Sequence, residues 1–159
     1  MTNIIGRNLR RGRFCDLAAL PLMAEFKGGR RVLVRAEKGI VIGDNVTLGS
    51  HVTVNGGVRC PTRIGDECYL WHGVNIGHDC QIGARTIINV GSILCGEVTI
   101  GEDSYVAPDV VIQPRCVVGS RAMIGTGSNV VHDTMIPDGE VWFGNPAKFQ
   151  RVNKWRPPA

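Results

Sequence analysis

From Ile64 onward, every sixth residue is aliphatic. Leu70, Ile76, Ile82, Ile88, Leu94, Ile100, Val106, Ile112, Val118, Ile124, Val130 and Ile136 complete a run of thirteen. Four residues after each aliphatic stands a small side chain, among them Cys68, Cys80, Thr86, Ser92, Ser104 and Cys116. Glycine often follows the aliphatic directly, as in Ile64-Gly65, Ile82-Gly83 and Ile100-Gly101. Period six fits neither a helix, at ~3.6 residues per turn, nor a simple alternating strand, at ~2. It fits a short strand plus a corner, and hexapeptide periodicity is a signature of the parallel β-helix. Three hexapeptides close a triangular coil of about 18 residues, with coils stacking at ~4.8 Å. The aliphatic and the small residue point inward, and glycine admits the turn. The predicted fold class is therefore all-β.

The same grammar runs earlier through Ile42, Leu48 and Val54, then slips near Gly56-Gly57-Val58-Arg59-Cys60-Pro61. A shorter echo appears at Ile5-Gly6-Arg7-Asn8-Leu9, whereas residues 15–35 break the pattern and are expected to form a loop or short helix. The resulting organisation is a basic N-terminal segment over 1–40 with a partial repeat, the repeat region over 41–141, and a C-terminal tail over 142–159.

Composition supports a thin, aliphatic core with many corners: only 9 of 159 residues are aromatic, against 21 glycines and 8 prolines. No stretch approaches the ~20 apolar residues that span a bilayer. The opening MTNIIGRNLRRGRFCDL lacks the apolar block of a secretory signal, so a cytoplasmic protein with six reduced cysteines is expected. Cys68, Cys80 and Cys116 fall at the small inward position and read as packing residues, and no CxxC spacing offers a metal site. Residues 1–35 carry eight basic and two acidic side chains, which suits an anionic partner or an acidic carrier protein as well as plain solvent. No nucleic-acid partner is expected.

His78 follows an inward aliphatic by two residues, so its side chain should leave the coil at a corner, where an imidazole can take a proton near neutral pH. Its neighbour Asp79 can orient the ring. Eighteen residues on, one coil above, is Gly96, whose missing side chain lets a ligand approach the backbone. His72 lies one hexapeptide earlier and therefore on a different face; it and His51 read as surface or interface residues before site residues, and Trp71 reads as packing at an interface before stacking on substrate.

Over residues 40–152 the chain resembles the hexapeptide-repeat acyltransferases. Val74-Asn75-Ile76-Gly77-His78-Asp79-Cys80-Gln81-Ile82-Gly83 is similar to the active-site repeat of bacterial sugar N- and O-acetyltransferases of the bacillosamine and sialic acid type, and to that of the lipid A N-acyltransferase. Trp142-Phe143-Gly144-Asn145-Pro146-Ala147-Lys148 resembles the C-terminal signature of coenzyme A-dependent members. The resemblance implies a left-handed coil and a homotrimer with sites between subunits. It implies acetyl-CoA as acyl donor, a sugar or nucleotide-sugar acceptor and no metal. His78 would be the general base, Asp79 its orienting partner, and the Gly96 N–H the oxyanion donor. By the same analogy, backbone around Pro108 and Thr126 would meet the pantetheine, and Lys148 and Arg151 the nucleotide phosphates. The chain departs from the bacillosamine type in lacking a separate N-terminal α/β domain. Three alternatives stay open: an acyl carrier protein-dependent acyltransferase, a non-catalytic assembly subunit, and a γ-type carbonic anhydrase, whose zinc needs three histidines.

Overall fold

A computed structural model describes residues 3–19, 22–27, 30–35 and 38–154. It is the left-handed parallel β-helix anticipated above, with no helix among the described residues. Strands of two or three residues alternate with corners, and each pairs in parallel with the strand one coil away. The first face begins at Ile4–Ile5 and Ile40–Ile42 and ends at Met135–Ile136; the second runs from Arg10–Arg11 to Glu140–Gly144; the third runs from Asp16–Ala19 to Asn129–Val130. Ala147–Val152 folds back antiparallel on Glu140–Gly144 and covers the upper edge of the second face.

The hexapeptide grammar maps directly onto this prism. The repeated aliphatics, from Ile42 through Ile136, stack inside in one continuous core, each contributing roughly 1.5–3 kcal/mol on full burial. Corners need a left-handed residue, and the chain supplies one at 18-residue spacing on each edge. Glu67, Arg85, Asp103 and Arg121 do so on the edge between first and second faces, and Asp79, Glu97, Arg115 and Asp133 on the edge between third and first. On the remaining edge, between second and third faces, Gly73, Gly91 and Gly127 take the same conformation without a Cβ penalty.

The small inward residues do more than fill space. Thr86, Ser92 and Ser104 each donate a hydroxyl to the carbonyl fifteen residues ahead, at 2.8–2.9 Å. Cys68, Cys80 and Cys116 direct their thiols to the equivalent carbonyls of Gly83, Cys95 and Val131 at 3.0–3.1 Å. The cysteines thus play the part of serine or threonine in the repeat. Burial pushes the Cys68 thiol up to about 11 and Cys80 to about 12, which keeps both protonated.

Two departures from 18 residues both fall on the edge between third and first faces. The first coil is already formed by the N-terminal segment: Ile4, Arg10 and Asp16 pair with Val41, Thr47 and Thr53. The surplus between these coils is an antiparallel pair, Leu22–Lys27 with Arg30–Arg35, rather than the loop or short helix expected over 15–35. In sequence, Phe26 on one strand and Val32 and Val34 on the other favour extended structure, and Gly28-Gly29 stands between the two. Residues 20–21 and 28–29 of that expectation lie outside the described residues. The second surplus lies where the sequence slips. Val54 and Ile64 stand ten residues apart instead of six, because the coil pairing Leu48 with Leu70 takes 22 residues and puts four extra at 56–61.

Candidate functional site

His78 and Asp79 form the corner between the third and first faces, one coil above the enlarged 56–61 loop. Nδ1 of His78 lies 2.7 Å from Oδ2 of Asp79. The other carboxylate oxygen accepts three backbone N–H groups from that loop: Val58 at 2.9 Å, Arg59 at 2.8 Å and Cys60 at 2.9 Å. Burial alone would raise the Asp79 pKa, but the hydrogen bonds from His78 and from the Cys60 and Arg59 amides outweigh it and hold the carboxyl below its ordinary value. An ionised Asp79 fixes the proton of neutral His78 on Nδ1 and leaves the Nε2 lone pair free.

The imidazole leans upward onto Gly96. A Cβ built on Gly96 would fall on His78 Nε2, Cε1 and Cδ2, so only glycine at 96 leaves room for the ring. The Gly96 N–H is also unclaimed. At comparable corners the N–H is taken by a side chain one coil above: Asp66 accepts from Asp44, His72 from Ser50 and Asp138 from Ser120, each at 2.8 Å. Above Gly96 stands Pro114, which brings no side-chain acceptor, and among the described residues the Gly96 N–H has no partner. A proton acceptor and a free backbone donor thus sit together at one corner, the pair that acyl transfer through a tetrahedral intermediate requires. Glu97 completes the corner, with its carboxylate 3.1 Å from Nη1 of Arg59.

The remaining expected site residues lie elsewhere on the chain. Pro108 and Thr126 stack on the edge between second and third faces, where the Pro108 carbonyl accepts the N–H of Gly127 at 3.0 Å. Lys148 and Arg151 are exposed on the antiparallel capping strand and pair with Phe143 and Val141. Within one chain neither group reaches the His78 corner. His72 belongs to the second–third edge, and its Nδ1 accepts the Ser50 N–H. His51 stacks on Phe14 at 5.2 Å. The four histidines are spread over two edges, and among the described residues no three His, Cys, Asp or Glu side chains converge as metal ligands.

Sequence reasoning missed Val58, Arg59, Cys60 and Glu97. The slip in the repeat at 56–61 was the available signal, since a longer corner has to project somewhere.

Residues 61–96 and 97–136 match the bacterial transferase hexapeptide family, described as six repeats. A UDP-3-O-acylglucosamine N-acyltransferase of Leptospira biflexa is 39% identical over 61 residues, covering 38% of this chain and 17% of that protein. An acyl-[acyl-carrier-protein]–UDP-N-acetylglucosamine O-acyltransferase of Campylobacter concisus is 28% identical over 99 residues, covering 60% of this chain and 36% of its own length. The chain thus spans little more than a third, at most, of these two relatives. Among solved structures, the UDP-N-acetylglucosamine acyltransferase of Bacteroides fragilis superposes with a TM-score of 0.82 at 25% identity, over 95% of this chain and 56% of that one. PerB of Caulobacter crescentus, solved with CoA and GDP-perosamine, shares the fold at a TM-score of 0.63 and 21% identity, over 94% of this chain and 54% of its own.

Proposed function

We propose that this chain, whose coils belong to the hexapeptide-repeat family, is an acyltransferase that moves an acyl group from a thioester to an amine or hydroxyl of a sugar or nucleotide-sugar. The observation that carries the reading is the His78 corner: an imidazole whose Nδ1 is held by Asp79, beside a glycine whose N–H is free. His78 Nε2 removes the proton of the acceptor nucleophile as it attacks the thioester carbonyl. The developing oxyanion is bound by the Gly96 N–H. Collapse of the tetrahedral intermediate expels the thiolate, which recovers the proton from His78. Asp79 stays ionised throughout and stabilises the imidazolium between the two transfers.

Acetyl-CoA is the donor we propose, with Pro108, Thr126, Lys148 and Arg151 of a neighbouring copy along the donor cleft and no metal involved. This calls for a homotrimer. The third face separates the two relevant edges and exposes Ile93, flanked by Val90 and Val131. Packing third faces around a three-fold axis covers these side chains and sets the His78 edge of one copy against the Pro108 edge of the next. A cytoplasmic location suits such donors and acceptors; among the described residues no helix is long and apolar enough to cross a membrane. A second reading, with an acyl carrier protein as donor, is favoured by the name of the Campylobacter concisus relative and by the basic N-terminal segment.

Thiol release tests both readings. Acetyl-CoA and acyl-loaded carrier protein are offered in turn with a panel of amino sugars and nucleotide-sugars. Acceptor-dependent release from acetyl-CoA supports the first, release only from the carrier protein selects the second, and no release from either overturns the proposal.

A further inference from the structure

The chain holds its own control for the His78–Asp79 pair. The dipeptide His-Asp recurs at 132–133, three coils higher on the same edge, and Asp79 and Asp133 share a left-handed φ of 60°. Sequence and corner conformation are therefore matched, yet the two pairs differ sharply. His78 and Asp79 are 14% and 4% exposed at their side chains, with a nitrogen–oxygen separation of 2.7 Å. For His132 and Asp133 the values are 66%, 54% and 3.0 Å. Asp133 accepts from the flexible, solvent-facing Arg115 guanidinium at 2.7 and 3.0 Å. Asp79 accepts instead from three consecutive backbone amides, which cannot swing away.

Those amides come from the four-residue surplus in the second coil. Its glycine at 57 is required by the turn, because a Cβ there would run into the Cys60 carbonyl and come within 3.1 Å of Asp79 Oδ1. The loop is anchored on both sides. Gly57 exchanges backbone hydrogen bonds with Lys38 and Gly39, at 2.9 and 3.0 Å. Arg59 pairs with Glu97, next to Gly96. Consecutive N–H groups converging on one oxygen form an anion-binding concavity, and here the anion is the chain's own carboxylate.

We propose that residues 57–60 are a positioning element: an internal amide nest that locks Asp79, so that His78 is held in the single tautomer with Nδ1 protonated and Nε2 bare, while the exposed His132–Asp133 pair, held by the Arg115 side chain rather than by backbone, is left free to exchange. The inference deepens the acyltransferase reading and rests on it for its catalytic meaning, but the tautomer is a property of the substrate-free protein.

Nitrogen-15 spectra of the imidazoles at neutral pH read it directly. In wild type, His78 should show one protonated Nδ1 and one unprotonated Nε2, and His132 an averaged pattern. Gly57→Ala and Val58→Pro, each checked for an intact fold by its amide spectrum, should shift His78 toward the averaged pattern. They should lower kcat about 10²-fold with KM changed less than about threefold, because the substrates' own contacts remain. A second measurement needs no loop variant. The amide protons of Val58, Arg59 and Cys60 should exchange slowly in wild type and faster in Asp79→Asn. The inference is overturned if His78 keeps the same tautomer in the folded loop variants, or if these amides are unprotected in wild type. A loop-dependent tautomer in a protein that transfers no acyl group would retain the positioning element and reject the acyltransferase reading alone.

Discussion

At Gly96 one missing side chain serves two ends. It makes room for the His78 ring from below and exposes a backbone N–H that Pro114 cannot occupy from above. Gly96→Ala is therefore expected to displace the imidazole even though alanine adds a single carbon. Loss of the aligned base and donor should cost about 10²–10³ in kcat, with circular dichroism of the coil unchanged; full activity in a folded Gly96→Ala would rule out this geometry. Asp79 makes a pH prediction. Its pKa is lowered in the fold, so it contributes stability above the ordinary carboxylate value near 4, and that contribution is lost as pH falls through the depressed value. Denaturant titrations of Asp79→Asn should show lower stability at pH 7 and a shallower decline below about pH 4 than wild type. A steeper acid decline in the variant would contradict the assignment.

The coils were legible at the scale of the element because their rule is local. An inward aliphatic every six residues and a small neighbour are each written in the residue itself, and the run from Ile64 to Ile136 carries both; the left-handed corner is not, since it falls on residues such as Glu67, Arg85, Glu97 and Arg115 rather than on the glycines that follow the aliphatics, such as Gly65 and Gly83. What the rule did not contain was where a break in it would point. The slip at 56–61 was visible, but its amides meet Asp79 only through stacking with a coil some 20 residues later. The ribbon at 22–35 was obscured for another reason: its pairing is antiparallel and mixes charged with apolar residues on both strands, so no period of six or of 3.6 emerges. The cysteines show a rule read in part. Their inward placement followed from the repeat, whereas the thiol-to-carbonyl bond appears only once the next coil is in place. Cys80→Ser, which can keep that bond, should stay within about 1 kcal/mol of wild type in chemical denaturation. Cys80→Leu, which overfills the corner, should lose about 1–3 kcal/mol. Equal stability of the two variants would remove the hydrogen bond from the account.

Over the whole molecule, the prism sorts functions by edge. The His78 corner, the 57–60 loop and the paired strands Leu22–Lys27 and Arg30–Arg35 lie on one edge, and Pro108 and Thr126 on another; under the proposed function a single chain would therefore carry two incomplete halves of a cleft. Sedimentation equilibrium should give three times the 17.2 kDa chain mass, and a fully active monomer would sink the shared cleft. The central proposal is that His78 acts as the base of an acyl transfer. The most direct measurement is the rate of thioester-dependent acyl transfer, followed by thiol release, in wild type, His78→Ala and His72→Ala. His78 leaves the coil at a corner, and removing it should preserve the fold and lower turnover about 10²–10⁴-fold. His72, whose ring accepts the Ser50 N–H and stands edge-on to Trp71 on a different edge, should matter far less. Undiminished transfer in folded His78→Ala, or a larger loss in His72→Ala, would contradict the account.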